Sequence, residues 1–350
     1  MQDQLVVMLR ELHPDADSIE IQEFGAIAGG FSRETYKFDA IISTSGVEQL
    51  VPCILRKDPP ASAAILETSR EVEHNLIEAV RANTEVPVSQ SFAHQMNPEV
   101  FGECAMIIER AAGNGQTSDL FNEGADADQV DDVVRHLCEI LVKLHETDIA
   151  TLNPNGELDD PRDVGIDTTS WDSYMDSTFE YYVNSIDEWN WDPTVMVVAD
   201  SAYHLRRHKP RPMPLALVHG DFNPANFLYA DGKVTALIDW ENSRVGDPRE
   251  DLGWMVLMDI LSNTSVMSHP TDEGGFLAYY NKLRGLDITP EELGYFTLFG
   301  TINVAVPVHT AVKRRVDGEN EEFLHLYLIQ SSSPAMPALC QLMGYPGFGA

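Results

Sequence analysis

The chain has 350 residues, 43% of them hydrophobic, which is ample apolar material and more length than one compact core usually holds, so two lobes are expected. Acidic residues number 56 against 23 Lys and Arg, a net charge of −33, so neither nucleic acid nor an anionic membrane is an expected partner, since both need basic surface. No uninterrupted apolar run reaches bilayer-spanning length, and four scattered cysteines without a CxxC pair argue against a zinc site or a disulfide framework.

In chain order, the first segment (1–14) places Leu5, Met8, Leu9 and Leu12 at helical spacing and stops at Pro14. It has no basic start, apolar core or cleavage site, so an amphipathic helix in a cytoplasmic protein is expected. Residues 21–28, 35–43 and 49–57 then alternate as strands, with Gly29-Gly30 and Ser45-Gly46 at the turns. A helix over 67–83 and a strand over 105–108 complete an N-terminal lobe, 1–112, of antiparallel sheet with one inserted helix. From Asp126 the pattern changes: Val130, Val133, Val134, Leu137, Leu141 and Leu144 form a buried helical stripe. Residues 113–350 therefore read as a mainly helical second lobe. Within it, segment 151–205 carries twelve acidic residues and one basic one, Arg162, with many aromatics.

The stretch "HGDFNPAN" (219–226) lies between two apolar runs and is followed by a hairpin signal, Asp231-Gly232, joining strands at 226–230 and 234–239. A hairpin brings its outer ends together, so Asp221 and Asn226 at the entrance should approach Asp239 at the exit. A carboxylate to orient and deprotonate a hydroxyl, with oxygen ligands for Mg²⁺ beside it, is what phosphoryl transfer requires.

These residues carry a resemblance. "LVHGDFNPANFLY", "ALIDWENSRVGDPREDLGW" and the upstream "LVKLHE" resemble the aminoglycoside phosphotransferase and choline kinase superfamily, small-molecule kinases of protein-kinase-like fold. The resemblance covers roughly 20–310 and is densest at 137–145 and 215–254. It implies an α+β bilobal fold, ATP or GTP with Mg²⁺ as cofactors, and a hydroxylated small molecule as acceptor. By position, Asp221 resembles the catalytic base and Asn226 and Asp239 the magnesium ligands. His219 resembles a residue that braces the loop, and Asp251 a buried acid bonded to the loop backbone. Asp247 reads equally well as a helix cap.

In the N-terminal lobe, Gly29, Gly30 and Ser32 fall where the family covers the nucleotide phosphates. Arg56 in "CILRKD" falls at the phosphate-gripping position, with Lys57 pointing to the other face of the strand. Glu71 fits the ion-pair partner of Arg56, with Glu73 as the alternative. "IIERAAG" resembles the hinge, with backbone at Glu109–Ala111 meeting the adenine. Asp-Trp-Glu in place of Asp-Phe-Gly fits the small-molecule branch. Segment 151–205 falls where the family builds its variable substrate pocket; its acids and aromatics suit a cation, and suit a solvated surface equally. A kinase for a small hydroxylated molecule is expected. A nucleotide-binding regulator without turnover is the alternative, and a two-metal hydrolase using His219, Asp221 and Asp239 a third reading.

Overall fold

Alternating apolar residues after the first turn build the sheet that opens the chain. In the computed structural model, which describes residues 1–27, 33–60, 68–122, 124–152, 164–189, 196–319, 340 and 343–344, helix α1 (Gln2–Leu12) lays Leu5, Met8 and Leu9 on this sheet. Strands β1 (Ser18–Ala26), β2 (Glu34–Thr44), β3 (Val47–Lys57), β4 (Ser91–Gln95) and β5 (Ala105–Glu109) pair antiparallel in the order β1-β2-β3-β5-β4. Phe38 and Ala40 of β2, Cys53 and Leu55 of β3 and Ile107 of β5 pack under α1. The glycine turn expected at Gly29, Gly30 and Ser32 lies outside the described residues. Strand β4 has no counterpart in the sequence reading, because "SFAHQ" lacks clean alternation.

Helix α2 (Arg70–Asn83) is capped by Ser69, whose hydroxyl accepts from Val72 N–H, and crosses the other side of the sheet. Its Leu76, Ile77 and Val80 join Met106 in a core that continues into the second lobe through helix α3 (Ala127–Glu146). The expected stripe on α3 is there: Val133, Val134, Leu137 and Leu141 are fully buried.

A second core forms where α4 (Trp171–Asp187) and α5 (Met196–Arg207) meet the long C-terminal helix. The remaining strands are short: β6 (Ala216–Val218), β7 (Phe227–Ala230), β8 (Lys233–Leu237) and β9 (Arg244–Gly246). They are followed by α6 (Arg249–Leu261), α7 (Phe276–Arg284) and α8 (Pro290–Val316). Helix α8 opens with a capping box, Thr289 and Glu292 exchanging side-chain-to-backbone bonds. It is long and apolar enough to cross a membrane, unlike any stretch expected from the sequence, yet 67% of its apolar window is buried inside the protein, and Phe296, Phe299 and Ile302 belong to the second core. The fold is α+β, a sheet-based N-terminal lobe joined to a helical C-terminal lobe.

Candidate active site

The catalytic-type string sits between two hairpin-like pairings that together bring its ends to one place. Strand β6 runs into the loop and pairs with β9, Leu217 opposite Val245. Strands β7 and β8 pair across Asp231 and Gly232, both at positive φ, the conformation a two-residue hairpin turn requires. Ile238 N–H donates to the Asn226 carbonyl at 3.0 Å, so the hairpin's entrance and exit are adjacent.

The loop is pinned from below by a buried carboxylate. Asp251, on the first turn of α6, accepts from His219 N–H at 2.8 Å through one oxygen and from Gly220 N–H at 2.9 Å through the other. His145 Nε2 bonds the same group at 3.0 Å and its Nδ1 meets the Tyr280 hydroxyl at 2.8 Å. Burial by itself would lift the Asp251 carboxyl; the His145 bond and the neighbouring histidines hold it below the ordinary value. The His219 ring is fully buried, and burial lowers its pKa, so it is neutral; its Nε2 faces the Ile238 carbonyl at 3.1 Å and is therefore the protonated nitrogen. Gly220 has φ +77°, and a Cβ there would lie 2.1 Å from the Asn242 carbonyl oxygen, so only glycine fits between the two strands of the pairing.

Asp221 projects from this pinned loop, half-buried. Its Oδ1 accepts from Asn223 Nδ2 at 2.8 Å and Trp254 Nε1 at 2.6 Å, and its Oδ2 from Asn226 Nδ2 at 2.7 Å. Burial, then the charge of Asp239, raise its pKa to about 7, against the lowering effect of those three donors. Since the Asn226 amide nitrogen is committed to Asp221, its Oδ1 is the atom left for a cation. Asp239 is in the left-handed region, φ 67° and ψ 63°, an uncommon conformation for a non-glycine residue, and it turns the chain at the hairpin exit. Burial disfavours its charge, but Arg56 outweighs burial and holds its carboxyl below the ordinary value, so it is an anion. An anionic carboxylate and an amide oxygen are hard donors that suit magnesium. Among the described residues no three His, Cys, Asp or Glu side chains converge as a metal cluster.

Opposite this loop lies a cluster of charges. Arg56 Nη1 pairs with Glu73 at 3.0 Å, and its Nη2 with Asp239 at 2.5 Å and Glu241 at 3.3 Å. Arg33 bonds Asp58 at 2.7 Å, Thr68 Oγ1 at 2.5 Å and Glu241 through Nε. The wholly buried Arg70 reaches Asp58 at 3.2 Å and also pairs with Glu73. The expected partner of Arg56, Glu71, is thus corrected: Glu71 is exposed, and the ion pair belongs to Glu73, because the inward face of α2 is the one carrying Leu76, Ile77 and Val80, and Glu73 lies on it. Lys57 pairs with Glu34 at 2.9 Å, away from Asp239.

Gly29, Gly30 and Ser32 lie outside the described residues. At the end of β5, Glu109 N–H bonds the Gln90 carbonyl at 2.8 Å and Arg110 N–H the Pro52 carbonyl at 3.0 Å; Ala111 follows, half-buried, in the link to Asn114, which exchanges backbone bonds with Tyr229 at 2.8 and 3.0 Å. Of segment 151–205, residues 153–163 and 190–195 are outside the described residues; in the rest, Trp171 donates to Asp247 at 2.7 Å and Tyr174 to Glu250 at 2.5 Å. A cavity of about 20 Å³, room for roughly one water, is lined by Gly220, Trp254, Gly300, Asn303 and the paired Arg244 and Glu250. Sequence reasoning singles out Asn223 within "HGDFNPAN" but gives it no role, and it misses Arg33, Arg70, Glu241 and Trp254. The signals were an arginine three residues past Gly30 and the Glu of Asp-Trp-Glu.

The model of a family described as "Phosphotransferase enzyme family" matches residues 23–287. The uncharacterized protein YcbJ of Bacillus subtilis is 34% identical over 123 residues, 35% of this chain and 36% of that protein. Acyl-CoA dehydrogenase family member 10 of Mus musculus is 24% identical over 286 residues, 76% of this chain but 25% of the relative. The matches thus span about a quarter to a third of these curated relatives. Among solved structures, a protein described as an aminoglycoside phosphotransferase from Ralstonia eutropha is 18% identical with TM-score 0.68, covering 98% of each chain. A thermostable mutant of aminoglycoside phosphotransferase APH(4)-Ia, solved with ADP and hygromycin B, is 17% identical with TM-score 0.57, covering 94% of this chain and 96% of that one. The GDP and kanamycin complex of APH(2")-IIIa is 13% identical with TM-score 0.57, covering 95% and 98%. At these identities the likeness is one of fold.

Proposed function

Because the chain belongs to the phosphotransferase enzyme family, we propose that it is a kinase that transfers the γ-phosphate of ATP or GTP, with Mg²⁺, to a hydroxyl of a small molecule. The observation that carries this reading is the Asp221 carboxylate held by three donors beside Asn226 and Asp239 at the two ends of one hairpin.

Asp221 orients the acceptor hydroxyl and takes its proton as the acceptor oxygen bonds the phosphorus; a base whose pKa lies near 7 is matched to that task. Asn226 and Asp239 would hold magnesium, whose charge offsets that of the phosphates. Arg56 steadies the phosphate side and is itself held by Glu73. The backbone at Glu109–Ala111 meets the base, and Gly29, Gly30 and Ser32 cover the phosphates. His219 and Asp251 brace the loop without touching substrate. The lobes divide this work near residue 112: nucleotide from the first, acceptor from the second, with 151–205 shaping the acceptor pocket.

Solved structures of similar fold hold GDP in one case and ADP in another, which is why both nucleotides belong in the test. That test is Mg²⁺-dependent turnover of ATP and GTP against aminoglycosides, choline, ethanolamine, homoserine, sugars and hydroxyacyl thioesters, with Asp221→Asn alongside. One acceptor should stimulate turnover, and the variant should lose on the order of 10²–10⁴-fold in rate while still binding Mg-nucleotide. Nucleotide binding without any turnover would favour the silent regulator, and phosphate release that no acceptor accelerates would favour a hydrolase.

A further inference from the structure

Trp254 holds a carboxylate oxygen that the reaction does not need free. It follows Gly253, where α6 touches α8 backbone to backbone: a Cβ on Gly253 would lie 2.3–2.6 Å from Phe296 and Thr297 main-chain atoms. On α8, a Cβ on Gly300 would meet the Trp254 ring at 3.2 Å. Two glycines therefore let the helices approach closely enough to clamp the indole between α8 and the catalytic-type loop. Its N–H is the shortest of the three donors on Asp221, 2.6 Å from Oδ1.

Resting on the kinase reading above, we propose that Trp254 is the positioning residue of the Asp221 carboxylate. Its N–H, with that of Asn223, saturates Oδ1 and leaves Oδ2 as the oxygen that receives the proton. A carboxylate oxygen offers about two acceptor sites. Oδ1 has both filled, by Asn223 and Trp254, whereas Oδ2 has one filled, by Asn226. The acceptor O–H bond then breaks with its proton going to Oδ2, the acceptor oxygen bonds the γ-phosphorus, and the bridging oxygen leaves on the nucleoside diphosphate with the electrons of its bond. The clamp fixes the rotation of the carboxylate about its own bond, which the pinned loop backbone alone leaves open.

Two measurements test this. The first uses intrinsic phosphate release from Mg-ATP, with water as acceptor, in the wild type, Trp254→Phe, Asp221→Asn and the double variant. Trp254→Phe keeps the ring and loses the N–H. It should slow release by about 10–100-fold, the worth of one hydrogen bond to a charged group, with Mg-ATP affinity within about twofold. In the Asp221→Asn background it should cost nothing more, since a residue acting through Asp221 has nothing left to act on. A wild-type rate in Trp254→Phe, or a loss that multiplies onto that of Asp221→Asn, overturns the proposal.

The second measurement needs neither turnover nor the tryptophan variant. In the ¹H–¹⁵N spectrum of the indole groups, one downfield resonance should move upfield in Asp221→Asn. The N–H groups of Trp171, Trp189 and Trp240 bond Asp247, Thr310 and the Leu237 carbonyl instead and should stay. No such movement means no such bond. A wild type that neither binds Mg-ATP nor releases phosphate would sink the kinase reading, while the spectrum would still decide the role of Trp254.

Discussion

The loop around Asp221 and the charge cluster around Arg56 meet at Asp239, yet they are held in opposite ways. In the loop, the fixing bonds are directional and mostly local: Asn223 and Asn226 on Asp221, two consecutive backbone N–H groups on Asp251, a glycine that no other residue can replace. In the cluster, three arginines share four acids, and Arg56 pairs with a glutamate on α2 and with Asp239 and Glu241 near the hairpin exit. A bonded backbone cannot exchange partners without unfolding locally. A guanidinium can trade a carboxylate for a phosphate with no change in the chain, because the two present similar oxygen pairs. On the kinase reading proposed above, the difference separates a rigid platform for the base from a side prepared to receive an anion.

The contrast breaks first, and hardest, at Asp251. Removing it strands two buried N–H groups and the His145 bond, so Asp251→Ala should destabilise the fold by roughly 3–5 kcal/mol, read from urea unfolding. Asp272→Ala, which removes an exposed partner of Arg135, is the control and should stay within about 0.5 kcal/mol. Equal losses in the two variants would mean that the platform is not specially built.

The cluster should answer in binding rather than stability. Glu73→Gln keeps the shape of the side chain but frees Arg56 and Arg70 of a partner. It should weaken Mg-ATP affinity by about 10–100-fold by titration calorimetry, as expected for losing a charge-assisted bond that orients a binding group. Glu71→Gln, exposed one turn face away, should leave affinity within about twofold. The reverse order would restore the pairing expected from the sequence.

That pair of glutamates also bears on how much of the site was legible in the sequence. The catalytic-type loop could be read because its chemistry is contiguous: eight residues and a two-residue turn specify donors, acceptor and the hairpin that gathers them. The sheet and α3 were readable for the same reason, a local period. Arg33, Arg70, Glu241 and Trp254 depend on which elements cross, which local patterning does not encode; Trp254 reaches Asp221 only because Gly253 and Gly300 let two helices touch. The choice between Glu71 and Glu73, by contrast, was within reach of local patterning: Glu73 shares the i, i+3, i+4, i+7 face of Leu76, Ile77 and Val80, whereas Glu71 rests on the resemblance's Arg-Glu pattern alone and lies on the opposite side of α2. Strand β4 was missed because its five residues carry too little alternation to stand out.

The smallest expected effect is the one that separates the two carboxylates of the loop by sign. Asp221 has its pKa raised to about 7 by burial and Asp239, so between the unfolded value near 4 and about 7 the folded protein binds more protons than the unfolded chain, and stability falls as pH rises through that window. Asp251 has its pKa lowered, so its contribution is fully present above the unfolded value and is lost only as pH falls through the folded one. Asp221→Asn removes the first dependence and leaves the second. Measured with chelator and without nucleotide, so that no cation alters the local charge, the variant should match the wild type near pH 4.5. It should become more stable by roughly 1–2 kcal/mol at pH 8, a figure kept below the full value of the shift because Asp221 is only half-buried. That difference corresponds to a rise of a few degrees in melting temperature at most. A variant no more stable than the wild type at pH 8 would mean that the Asp221 carboxylate is held without strain, and that it belongs with the platform beneath it rather than standing apart as its one destabilised group.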